Sequence, residues 1–187
     1  MTRTVLLCLA VFTTSLAQLT AQSSFAEIQP SEGSPFLVGH IPEALLLNQP
    51  YASWYGTGLE AYRPDPSSLE ELKSALEPYH ILVFLGTWCG DSRREVPRFM
   101  KILQESGFPA ERVKIVTVDR REEHYKKSLN GEEWGLDIRR VPTFIFLREG
   151  REANRIVEKP LQSLETDMLA ILRGDPYTPR YARAGSH

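Results

Sequence analysis

The chain has 187 residues, 42% hydrophobic and 25% charged, enough apolar matter for one ordinary core. Its 22 basic and 24 acidic residues give a net charge of −2, with no basic patch for nucleic acid and no apolar run long enough to span a membrane. No internal repeat or low-complexity tract breaks the chain up.

The first feature in chain order is Arg3, followed by the apolar stretch Val5-Leu6-Leu7-Cys8-Leu9-Ala10-Val11-Phe12 and then Ser15-Leu16-Ala17. A positive start, a short apolar stretch and small residues make a secretory signal pattern. It is expected over residues 1–21, with cleavage after Ala17; Leu19-Thr20-Ala21 is a poorer second site. The alternatives are a membrane-resting anchor or a core helix. Cys8 and Cys89 are the two cysteines. Removal of the signal leaves Cys89 alone, excludes an intramolecular disulfide, and leaves no candidate span.

Residues 22–64 carry Pro30, Pro35, Pro42 and Pro50 among the aromatics Phe36, Tyr51, Trp54, Tyr55 and Tyr62. This reads as an irregular N-terminal extension packed on the main domain through its aromatics. The main domain is expected over residues 65–174, and residues 175–187, with Arg180 and Arg183, as a solvated C-terminal tail.

Ser67-Ser68-Leu69-Glu70 is a capping-box pattern, with Leu69, Leu72 and Leu76 on one helical face behind it. Ile81-Leu82-Val83-Phe84-Leu85 reads as a buried strand. Val96, Phe99 and Leu103 then mark a second helix. Pro97 falls inside that helix, where proline costs about 3 kcal/mol relative to alanine, so a tolerated kink is expected. Residues 113–118 form the next strand. The polar segment from Asp119 to Gly135 is expected to hold a short helix around Glu122–Leu129, ended by Asn130-Gly131. Residues 143–147 and 155–157 form a hairpin across Glu149-Gly150, and a last helix over Ser163–Arg173 stops at Gly174. Crossover units give parallel pairing and the tight turn an antiparallel pair. The expected fold class is α/β, a mixed central sheet flanked by helices on both faces.

Trp88-Cys89-Gly90-Asp91-Ser92 sits between the first of these strands and the helix that follows. A cysteine there lies where backbone N–H groups and the helix dipole favour negative charge, the setting of a reactive thiolate. The usual redox version is Cys-x-x-Cys, and here its second position is Ser92. Ser92 is placed to donate a hydrogen bond to the thiolate; Arg93 and Arg94 add positive charge and Asp91 opposes them. Cys89 and Ser92 are therefore the candidate catalytic pair, with Trp88, Gly90 and Asp91 completing the motif.

Together with Pro97 eight positions after Cys89, and Val141-Pro142-Thr143 before the hairpin, the motif resembles the thioredoxin family over residues 65–174. Gly86-Thr87-Trp88-Cys89-Gly90-Asp91-Ser92 with Arg94-Glu95-Val96-Pro97 is similar more narrowly to secreted bacterial thioredoxin-like proteins, which implies a periplasmic location. The resemblance implies a thioredoxin-like fold, Cys89 as the attacking thiol, and a cis Pro142 facing it across a peptide groove in which Val141 and Thr143 offer backbone contacts. Two departures stand out. The family's resolving cysteine is Ser92, and its buried acid, six residues before the nucleophile, falls on Val83. The segment from Asp119 to Pro142 also looks longer than in a minimal member, long enough to shape a partner surface.

One thiol attacks a disulfide but cannot release itself without a second thiol. The expected activity is thiol–disulfide exchange by a single cysteine, as an isomerase or as a reductase assisted by an external thiol. Protein or peptide disulfides and thiols, or a small-molecule thiol, are its expected partners. The alternative is a redox-inactive peptide-binding or chaperone-like module that keeps the groove. A cysteine hydrolase using His80 or His124 has less behind it. No cofactor is expected, and no histidine spacing suggests a metal.

Overall fold

The computed structural model describes residues 24–182; the signal-like segment with Cys8, and Arg183, lie outside that range. Strands β1 (Phe25–Ile28) and β2 (Phe36–Ile41) open the fold. Helices α1 (Ala52–Ala61) and α2 (Pro66–Ala75) follow. Strand β3 (Tyr79–Leu85) then leads into helix α3 (Gly90–Glu105) and strand β4 (Val113–Thr117). Strands β5 (Thr143–Arg148) and β6 (Arg151–Val157) and helix α4 (Leu164–Arg173) complete it. The six strands make one sheet in the order β1-β2-β4-β3-β5-β6. The crossover through α3 makes β3 and β4 parallel, while every other neighbouring pair is antiparallel. The register sets Val83 beside Ile115 on one side and Phe144 on the other.

The mixed α/β sheet is the expected class. Its second face is covered differently from expectation. All four helices supply side chains to one core, where Tyr55, Leu72, Phe99 and Leu169 meet Val83 and Phe146. On the opposite face Phe84, Val116, Val118 and Ile145 pack under Val141, with Trp88, Leu136 and Ile138 against them. The chain between β4 and β5 covers that face without an α-helix. The helix expected around Glu122–Leu129 shrinks to the 3-10 turn Glu122–His124. Asp119 explains this, because its backbone binds Lys126 and Lys127 and folds the segment back on itself (Asp119 N–H to Lys127 C=O, 2.9 Å; Lys126 N–H to Asp119 C=O, 2.9 Å).

The segment 22–64 is not irregular. It supplies β1, β2 and α1, so the ordered unit begins well before residue 65. Phe36, Leu37 and Val38 are all buried, so β2 lacks the in–out alternation that marks a strand. Helix α1 has no side-chain cap and contains two glycines, and is stabilised by burial of Tyr55 rather than by propensity. The aromatics do pack on the domain as expected: Tyr51 and Tyr55 lie in the core, with Trp54 and Tyr62 against it.

Helix α3 continues past Pro97 without a break, so the proline is tolerated inside the helix. A Cβ on Gly58 of α1 would fall 2.5 Å from Pro97 Cγ, so the bare glycine lets α1 close over the proline. Gly58→Val is expected to lower stability by about 1–3 kcal/mol through overpacking against a rigid ring; urea denaturation read by tryptophan fluorescence measures it.

The start of α2 corrects the expected capping box. Asp65, not Ser67, is the N-cap, and its carboxylate accepts the Ser68 N–H at 2.9 Å. Pro66 occupies the first turn, where its missing N–H costs nothing. Hydrogen bonds from Ser67 and Ser68 lower the Asp65 pKa to about 2. Helix α4 has its cap at Ser163 and its stop at Gly174, which takes the left-handed conformation. The tail expected to be solvated is tied down as far as it is described: the Asn154 amide donates to Tyr177 C=O (3.0 Å), and Tyr177 O–H donates to Asp167 (2.8 Å).

Candidate active site

The site forms where β3 hands over to α3. After Leu85 the chain turns through Gly86-Thr87-Trp88, closed by the Cys89 N–H on the Gly86 carbonyl at 2.9 Å. A Cβ on Gly86 would lie 2.7 Å from the Trp88 ring, so glycine there lets the indole fold back over the turn. The indole N–H then donates to Val118 C=O at the end of β4 (2.9 Å). Thr87 is buried; its hydroxyl accepts the Leu37 N–H at 3.1 Å and its carbonyl accepts Arg93 Nε at 2.7 Å. The turn is thus fixed to the strands on either side and to the helix that follows.

Cys89 is the N-cap of α3, with extended backbone and its carbonyl accepting the Arg93 N–H at 3.0 Å. It is half-buried and is the one free cysteine among the described residues. Its Sγ lies 3.3 Å from Val141 C=O and donates to it. The Val141–Pro142 peptide is cis. The Pro142 carbonyl accepts the Glu158 N–H at 2.7 Å, and the Thr143 hydroxyl donates to Arg140 C=O at 2.7 Å, so the loop that faces the sulfur is pinned at both ends. Cys89, Val141 and Pro142 therefore meet. Thr143 is buried with its side chain turned into that loop.

Ser92 has a different partner from the one expected. It is fully buried, and its Oγ accepts the Gly86 N–H at 3.2 Å, while the sulfur's partner is Val141 rather than Ser92. The reason is helical geometry. A residue three positions into α3 points back toward the turn beneath the N-cap, where the Gly86 N–H needs an acceptor. Val83, at the position of the family's buried acid, is fully buried in the main core. Gly90 is exposed, and a Cβ there would meet nothing within 4 Å, so the entrance beside the sulfur is open.

The charges near the sulfur are largely paired. Asp91 holds Arg94 at 2.7 Å and Lys159 at 3.6 Å. Arg94 also binds the buried Glu95 at 2.6 Å, and the Glu95 and Asp91 hydrogen bonds raise its pKa further. Burial pushes the Asp119 carboxyl up, but Arg121 outweighs it with side-chain and backbone hydrogen bonds and holds the pKa below the ordinary value. That fold-back delivers Tyr125, whose ring centroid is 5.9 Å from that of Trp88. Tyr125 and Lys126 had no signal in the sequence; they stand in a charged run that reads as a solvated face.

A cleft of about 510 Å³ lies under this same segment, lined by Val38, Asp119, Leu129 and the exposed Trp134, and not by Cys89. Among the described residues no cluster of three metal-ligating side chains forms, and no helix is long and apolar enough to cross a membrane.

A sheet of this topology, with a cysteine capping a helix opposite a cis X–Pro peptide, defines a thioredoxin-like protein. Residues 55–168 match the family model described as Thioredoxin, and the chain belongs to the thioredoxin family. That span starts inside α1, ten residues ahead of the expected boundary. A thioredoxin H-type protein of Picea mariana is 27% identical over 103 residues, which cover 54% of this chain and 74% of that protein. The crystal structure of a protein of unknown function from Pseudomonas aeruginosa is similar in fold, with a TM-score of 0.51 and 18% identity over 72% of this chain and 93% of that one. Family membership implies thiol–disulfide exchange in general, with thiols or disulfides of proteins as substrates.

Proposed function

We propose that the protein exchanges thiols and disulfides through Cys89 alone. The observation that carries this is the placement of a half-buried Cys89 at the N-cap of α3, 3.3 Å from the carbonyl before a cis proline, while the resolving position holds a buried serine. The Cys89 thiolate attacks one sulfur of a substrate disulfide. A Cys89–substrate disulfide forms and the other substrate sulfur leaves as a thiolate. A second thiol then attacks the mixed disulfide, returns Cys89 to the thiol and leaves a new disulfide on the substrate side. If the second thiol belongs to the same substrate, the outcome is isomerisation with no net redox change. If it comes from a small-molecule thiol, a disulfide between that molecule and the substrate forms, and a second equivalent of the thiol attacks it, which leaves the substrate as a dithiol and the two small molecules joined as their disulfide. Ser92 enters neither step; it holds the turn through Gly86.

We place this chemistry outside the bacterial cytoplasm, in the periplasm, on the signal pattern of residues 1–21. Mass spectrometry of acid-quenched protein from the producing cells tests both parts. A peptide disulfide is expected to leave a mixed-disulfide adduct on Cys89 that persists until excess thiol is added, on a chain whose N-terminus lies near residue 18. No adduct on Cys89, under conditions where a free cysteine peptide reacts, ends the exchange reading; an intact N-terminus ends the export reading.

A further inference from the structure

Taking Cys89 as the exchanging thiol, we propose that the rim around it selects disulfides flanked by acidic residues, and that Arg140 and Lys126 determine this specificity. Arg139 and Arg140 immediately precede Val141, whose carbonyl touches the sulfur. Lys126 Nζ donates to the Arg139 carbonyl and lies 4.8 Å from the centroid of the Tyr125 ring, which in turn packs on Trp88. The rim therefore closes on itself from Trp88 through Tyr125 and Lys126 to the loop that faces Cys89. On the opposite flank Lys159 approaches Asp91, two residues after the sulfur.

Beside the loop that faces the sulfur, the cations Lys126, Arg139, Arg140 and Lys159 outnumber the carboxylates Asp91, Asp137 and Glu158, although the whole chain is net acidic at −2. Three carboxylates around the loop already have a cation: Asp91 has Arg94 and Lys159, Glu158 has Arg140 at 3.0 Å, and Asp137 has Arg139 at 2.7 Å; Glu122 and Glu123 stand in the turn before Tyr125. Lys126 and Arg93 spend hydrogen bonds on backbone carbonyls, which neutralise no charge. Arg140 is also held in place. Its guanidinium lies 3.9 Å from the centroid of the Tyr181 ring, on the segment that Tyr177 and Asn154 tie down, and its side chain is still 45% exposed. A stacked, ion-paired arginine loses little freedom on meeting a carboxylate. The long chain between β4 and β5 and the C-terminal segment thus give this thiol a charged frame. A substrate strand laid along Val141 meets that frame on both sides.

The test uses short peptides whose single cysteine is joined to 2-thiopyridine, with glutamates or lysines on both sides of it. Attack by Cys89 on the peptide sulfur forms the protein–peptide disulfide, breaks the bond to the pyridine sulfur and releases 2-thiopyridone, whose absorbance gives the rate. Rates are taken above the background of the Cys89→Ser chain. The glutamate peptide is expected to react about ten-fold faster than the lysine peptide at low salt, with the gap narrowing as salt is added. The Lys126→Glu/Arg140→Glu chain is expected to reverse the order. Equal rates for both peptides on the parent chain overturn the proposal and leave the exchange reading standing. A preference that the double variant leaves untouched overturns the assignment to these two side chains. No rate above background with any peptide overturns the proposal and the exchange reading together.

Discussion

Ser92→Cys is expected to clear the Cys89 mixed disulfide on the order of 100-fold faster than the parent chain does at equal external thiol. The parent has no internal nucleophile to finish the reaction. Its Ser92 oxygen is buried one helical turn behind Cys89 and bonded to the Gly86 N–H at 3.2 Å. A sulfur in that slot sits permanently beside the mixed disulfide, so release no longer waits for a collision. Sulfur is a poorer acceptor than oxygen, so the substitution weakens the Gly86 bond at a cost of about 1 kcal/mol. Burial limits the gain, because position 92 is fully buried and burial opposes thiolate formation, and Val83 supplies no acid to assist it. Acid-quenched time courses of the adduct, read by mass, give the rate for both chains. Clearance at the parent rate would show that release is not limited by the missing thiol, and the single-cysteine mechanism would lose its reason.

The parts of this fold that were legible in the sequence are those in which local chemistry and tertiary environment agree. Ile81–Leu85 is apolar on both faces because both are covered, by helices on one side and by Trp88 and Val141 on the other. Ser163 and Gly174 mark the ends of α4 because a hydroxyl acceptor and a left-handed residue are what those ends need. Two segments were opaque for the opposite reason. Helix α1 has no cap and two glycines, and exists because Tyr55 is buried and Gly58 lets Pro97 approach. The chain after β4 has helical composition, but Asp119 binds both Arg121 and the backbone of Lys126 and Lys127, which competes with the helix. At the site the residues to name were legible and their partners were not. Nothing in Cys89-Gly90-Asp91-Ser92 says that the serine bonds the Gly86 N–H while the sulfur bonds Val141, or that Tyr125 and Tyr181 join the frame from distant segments.

Phe99→Ala is expected to cost about 3–5 kcal/mol, a large share of the stability of a domain whose reserve is about 5–15 kcal/mol. Phe99 is fully buried, stacks on Phe144 with centroids 4.1 Å apart and meets Phe146 edge-on at 6.0 Å. These contacts tie α3 to β5, and so tie the element that carries Cys89 to the strand that begins just after Pro142. A cavity there removes apolar contact from both elements and leaves a void the rigid strands cannot close. The functional consequence follows from the same contact. With the wedge gone, the 3.3 Å approach of Cys89 Sγ to Val141 is no longer enforced from below, so alkylation of Cys89 is expected to speed up while peptide-disulfide exchange slows. Phe99→Leu, which keeps most of the volume, is expected to lose less stability and to leave the two rates closer to the parent. Urea denaturation gives the first quantity, and paired iodoacetamide and peptide-disulfide kinetics give the second. A chain that loses the stability yet keeps the parent ratio of the two rates would show that the Cys89–Val141 approach is set by the turn at Gly86 alone.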